Sequence, residues 1–111
     1  MARLPLRSII GAGAVALALT APAGADELLG DPVAGGGLAQ NVCAACHVVE
    51  LGDEPRAGID APAFPDLATQ AGVTALSLRV FLQTPHEHMP DLRLSADETD
   101  DVIAYILSLD R

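Results

Sequence analysis

The sequence predicts an all-α domain, a set of short helices folded around one five-residue motif. Three observations carry that expectation. Helix-start signals recur along the chain, at Asp31-Pro32, at Thr74 and in the Ser95-Ala96-Asp97-Glu98 capping box. Apolar residues return at helical spacing, as Leu78, Phe81 and Leu82, and again as Val102, Tyr105, Ile106 and Leu109. Between the first two signals lies Cys43-Ala44-Ala45-Cys46-His47, which holds both cysteines of the chain.

On a helical turn Cys43 and Cys46 stand at i and i+3 and His47 at i+4, so the three side chains share one face. Cys-x-x-Cys-His is the spacing of covalent haem attachment, with Cys43 and Cys46 as thioether anchors and His47 as the proximal iron ligand. The same cysteine pair also serves redox dithiols, zinc sites and disulfides. A dithiol of the thioredoxin kind expects a βαβ surround, which the downstream pattern does not offer. A closed zinc site needs further ligands, and His86 and His88 are separated by one residue where three to five is usual.

The first 25 residues read as a cleaved secretory signal peptide and residues 26–111 as the functional domain. Arg3 and Arg7 precede an uncharged run from Ser8 to Thr20, and Ala23-Gly24-Ala25 supplies the small-x-small cleavage pattern. That run has 13 residues, short of the ~20 a membrane-spanning helix needs. Export to the bacterial periplasm is the expected destination, with no stable membrane insertion after cleavage.

Cleavage would leave 86 residues, a size at which one core supplies only a few kcal/mol and a staple is usual. Covalent haem would be that staple. The whole chain carries a net charge of −9, and loss of Arg3 and Arg7 leaves four basic against fifteen acidic residues, −11, with no lysine. Nucleic acid and anionic membrane are poor partners for such a surface, whereas a redox protein with a basic docking surface would be steered in.

The first helix is expected from Asp31-Pro32 through Leu38 and Val42 to the motif, across Gly35, Gly36 and Gly37, which in a helix are either flexible defects or close-contact sites. Residues 48–61 hold Gly52, Pro55 and Gly58 with four acids and read as a surface loop. Arg56, its one basic residue, is a candidate for bonding a haem propionate, with a solvated loop arginine as the alternative. Pro62 keeps a carbonyl though it lacks an N–H, and is a candidate acceptor for the second ring nitrogen of His47. Phe64 reads as core. A short helix follows, ending near Gly72, then a third from the Thr74 cap to about Gln83, whose stripe of Leu78, Phe81 and Leu82, widened by Leu76 and Val80, should rest on the haem or its surround. The last helix should span Ala96 to Leu109.

Thr84-Pro85-His86-Glu87-His88-Met89-Pro90 is the second chemical stretch. Each proline biases its predecessor toward extended backbone, which stiffens the loop at both ends. Met89, the one methionine besides Met1, is the candidate distal iron ligand, and His86 and His88 are its competitors.

With these residues in place, the chain from Asp31 to Leu109 resembles the small class I c-type cytochromes, through Cys-Ala-Ala-Cys-His and the His-Met-Pro loop. The resemblance implies an all-helical fold around one covalent haem c, with His47 and Met89 axial. It also implies that the first and last helices cross at a glycine eight residues before the first haem cysteine, against an aromatic, positions matching Gly35 and Tyr105. Two departures stand out: Ala39 occupies a site where many members have an aromatic, and the lysine ring of mitochondrial members is missing. The function implied is that of a periplasmic one-electron carrier, not an enzyme. The alternatives are a haem enzyme or gas sensor with an open sixth iron position, or a cytochrome subunit of a periplasmic dehydrogenase complex.

Overall fold

The computed structural model describes residues 29–85 and 88–110. The leader with its cleavage site and the competing ligand His86 lie outside the described residues. Four α-helices run in order, α1 (Pro32–Asn41), α2 (Phe64–Thr69), α3 (Ala75–Gln83) and α4 (Ala96–Ser108), with a 3-10 turn at Cys43–Ala45. There is no strand among the described residues, so the all-α expectation holds.

Local chemistry explains the starts of α1, α3 and α4. The Asp31 carboxylate accepts from the Val33 N–H at 2.8 Å, and Pro32 occupies the first turn, where its missing donor costs nothing. Thr74 and Ser77 cap α3 reciprocally: the Thr74 hydroxyl accepts from the Ser77 N–H at 3.1 Å and the Ser77 hydroxyl from the Thr74 N–H at 2.8 Å. Ser95 and Glu98 do the same for α4 at 3.1 and 2.8 Å, with Asp97 and Glu98 at the positive end of the helix dipole. Thr84, which precedes Pro85, is extended at ψ 129°, and this stops α3.

Two boundaries differ from the sequence expectation. The first helix does not run into the motif: Val42 leaves helical geometry at φ −120° and ψ −56°, and the chain re-forms as the 3-10 turn. Val42 follows Asn41 and precedes the tighter turn, so the β-branched residue takes up the change of path. The second helix stops at Thr69, because Gln70 is already extended at ψ 130°.

The frame is the crossing of α1 on α4, with α2 and α3 resting against α4. Its core is Ala39, Val49, Phe64, Leu78, Val102, Ile103, Ala104, Ile106 and Leu109, all buried. Close approach of the helices depends on the small face of α1. A Cβ on Gly35 would collide with the Asp101 carbonyl and stand 2.9 Å from the Val102 nitrogen, while one on Gly36 would meet the Tyr105 ring at 3.0 Å. The resemblance paired Gly35 with Tyr105; the structure seats Gly35 on α4 backbone and puts the ring over Gly36 instead. Adjacent residues point ~100° apart on a helix, so one face presents both contacts.

The apolar stripe of α3 is narrower than its spacing implied. Leu78 is buried, but Leu76, Val80 and Phe81 are 71, 56 and 55% exposed. Contact with α4 runs along Leu78 and half-buried Leu82, and Arg79 on the same side pairs with Asp100. Phe81, three residues from Leu78, falls on the flank.

Tyr105 ties α4 to the chain just after the motif, its hydroxyl donating to the Val49 carbonyl at 2.7 Å. Tyr105→Phe leaves that buried carbonyl without this donor and is expected to cost about 1 kcal/mol in denaturant unfolding at neutral pH. Burial, then the Glu50 and Asp53 carboxylates, push the Tyr105 phenol above its ordinary value. The fold therefore favours the protonated ring, and that contribution is complete below about pH 10 and lost as pH rises through the folded value. The alkaline loss should be absent from the phenylalanine variant.

Candidate functional site

The 3-10 turn is closed by a doubly used carbonyl. Cys43 O accepts from the Cys46 N–H at 3.0 Å and from the His47 N–H at 2.9 Å. The second bond is of the α type, so one helical turn still closes from Cys43 to His47 beyond the break at Val42. Both cysteines are half-buried, and no disulfide joins them. Burial pushes the Cys43 thiol above its ordinary value. No group of three or more histidine, cysteine or carboxylate side chains among the described residues stands where it could hold a metal ion.

His47 is held by the far end of the following loop. Its Nδ1 lies 2.7 Å from the Pro62 carbonyl oxygen. A carbonyl only accepts, so Nδ1 carries the proton and donates. In the neutral ring this leaves Nε2 with the lone pair a metal would need, the arrangement in which an acceptor behind a ligating histidine fixes its orientation. The ring rests against Phe64, with centroids 5.2 Å apart and planes tilted by 45°. The Phe64 N–H donates to Val48 O at 2.9 Å, which closes the loop onto the motif.

His47 also lines a hollow of about 350 Å³ with Ala44, Val48, Val49, Asp53, Glu54, Pro55 and Arg56. Arg56 is exposed, and its Nε donates to Ala44 O, inside the motif, at 2.7 Å. No local pattern in the sequence could have placed this bond or the contact of Phe64 with His47. Both depend on how the loop folds back.

Met89 is half-buried and lines a separate small cavity with Leu82, Thr84, Pro85, Pro90 and Leu94. The two hollows have no lining residue in common. His88 beside it is exposed and takes left-handed backbone at φ 66°, a region that histidine enters more readily than most residues. The chain thus turns at His88 and directs Met89, not His88, toward the cleft between Leu82 and Leu94.

The donor set fits haem c: one imidazole fixed from behind and two part-buried cysteines beside it. No helix among the described residues is long and apolar enough to cross a membrane. No family model matches the chain, and no solved structure matches it significantly. It is 38% identical over 89 residues to cytochrome c-552 of Bradyrhizobium diazoefficiens, across 80% of this chain and 85% of that protein. Motif, helical fold and this kinship converge, and the chain belongs to the c-type cytochromes, which carry covalently bound haem c.

Proposed function

We propose that the protein is a periplasmic monohaem electron carrier, exported by residues 1–25 and functional as residues 26–111. Cys43 and Cys46 would form the thioether bonds to the haem, and His47 and Met89 would be the ligands of its iron. Bound haem supplies a one-electron iron couple. The chain's own part is to fix that couple's surroundings. Pro62 orients His47 through the 2.7 Å hydrogen bond and Phe64 limits the ring's rotation. Pro85 and Pro90 stiffen the loop that presents Met89, and a thioether opposite histidine raises the reduction potential over two histidines.

The carrier takes one electron from a reduced redox protein and passes it to an oxidised one. With His47 and Met89 both committed to the iron, no position would be left open for a substrate, which favours a carrier over an enzyme or gas sensor. The net charge, −9 for the whole chain, favours partners with basic docking surfaces.

The observation that carries this reading is the contrast at the loop tip, where Met89 is half-buried and His88 exposed. Met89→Ala tests it. The reduced wild-type protein is expected to keep its visible spectrum under carbon monoxide at neutral pH, and the variant to bind the gas rapidly with a changed axial signature. A variant whose axial signature is unaltered would remove Met89 from the iron, and rapid binding by the wild type would favour the open-site enzyme or sensor.

A further inference from the structure

Arg56 stands in a loop whose residues from Glu50 to Asp60 are all exposed, yet it reaches back 12 residues to donate from Nε to the Ala44 carbonyl. Ala44 lies between the two cysteines and packs against the core. The neighbouring carbonyl, Cys43 O, is already shared by the Cys46 and His47 N–H groups. Arg56 therefore serves a carbonyl that the short turn does not use, and it fastens the loop to the motif. Its side chain also lines the hollow that contains His47, together with the carboxylate-bearing Asp53 and Glu54.

We propose that Arg56 is a positioning residue that sets the reduction potential from the proximal side, by clasping the attachment turn and keeping a fixed positive charge in the hollow of His47. This deepens the haem-carrier reading and rests on it. A positive charge beside the proximal ligand disfavours the ferric state, which carries one more unit of charge than the ferrous, and so raises the potential. Asp53 and Glu54 act with the opposite sign. Without Arg56 the hollow keeps two carboxylates and no cation. A guanidinium stays charged at all working pH values, so its contribution does not vary with pH. The loop is exposed, so salt screens the effect. Bonding a propionate through the Nε edge of the guanidinium would need the N–H that Ala44 already uses.

The test is a mediated optical redox titration of the holoprotein from pH 5 to 8, at low and high salt. The variants are Arg56→Gln, Arg56→Lys and the double variant Asp53→Asn, Glu54→Gln. Arg56→Gln is expected to shift the equilibrium roughly tenfold toward ferric iron, equivalent to about 59 mV lower for one electron. Arg56→Lys should shift it less, because the charge is retained. The double carboxylate variant should move the potential upward, and all these shifts should shrink at high salt. An Arg56→Gln protein with intact haem bands and an unchanged potential would overturn the proposal. So would a new pH-dependent step confined to the Arg56 variants, which would indicate a propionate contact instead. If the unmodified protein had no haem bands, the carrier reading and this proposal would fall together; failure of the proposal alone leaves those bands in place.

Discussion

Gly35→Ala is expected to prevent accumulation of the folded, haem-loaded protein, at a cost of about 4 kcal/mol or more. The added methyl group would enter the backbone of Asp101 and Val102, which no side-chain rotation can move aside. α1 must then lift from α4, and the core residues Ala39, Val102 and Ile106 lose their packing. Single-domain stabilities are usually 5–15 kcal/mol, so one such lesion removes much of the margin. The neighbouring glycines supply the controls. Nothing lies within 4 Å of a Cβ on Gly37, so Gly37→Ala should stabilise the protein by up to about 1 kcal/mol through helix propensity. Gly36→Ala should fall between, because it presses on a Tyr105 ring whose hydroxyl is anchored at Val49. Thermal melts of the three variants check the order; a Gly35→Ala protein as stable as Gly37→Ala would mean that the crossing is not tight.

These three glycines show where the sequence is legible and where it is not. That α1 approaches α4 closely at Gly35 was legible through the family resemblance, not through spacing. Which glycine meets backbone and which meets the Tyr105 ring depends on a rotation of ~100°, and no spacing rule reaches that level. Caps at Asp31, Thr74 and Ser95 were readable because the side chain bonds a backbone N–H two or three residues ahead. The attachment motif was readable for the same reason, since its chemistry is spelled within a few residues.

Contacts that close the proximal side are different in kind. His47 with Pro62, Phe64 with His47, and Arg56 with Ala44 join residues 12 to 17 apart across a loop with no periodicity. Pro62 could be nominated only because a ligating histidine needs an acceptor. The over-wide stripe assigned to α3 has a related cause. Periodicity marks residues that share a face without saying how much of it a neighbour covers, and α4 covers Leu78 while leaving Leu76 and Val80 exposed.

Replacing Cys43 and Cys46 together with alanine is expected to yield a colourless chain whose mass lacks covalent haem and whose thermal transition is weak or absent. The described core explains the severity. It holds nine apolar residues, two of them alanines, and Phe64 is its one aromatic. A core of this kind supplies only about 3–5 kcal/mol, so loss of a covalent staple worth a comparable amount leaves little to hold the helices together. Position strengthens the case, since Cys43 and Ala44 both pack on the core cluster and its edge would lose its tether. Single cysteine variants keep one possible bond and should retain part of both colour and stability. Intact mass and a circular dichroism melt separate the two claims. A double variant that still carries covalent haem would refute attachment at these cysteines. A double variant that is haem-free yet melts cooperatively near the wild-type temperature would mean that the α1–α4 crossing holds the fold without a staple.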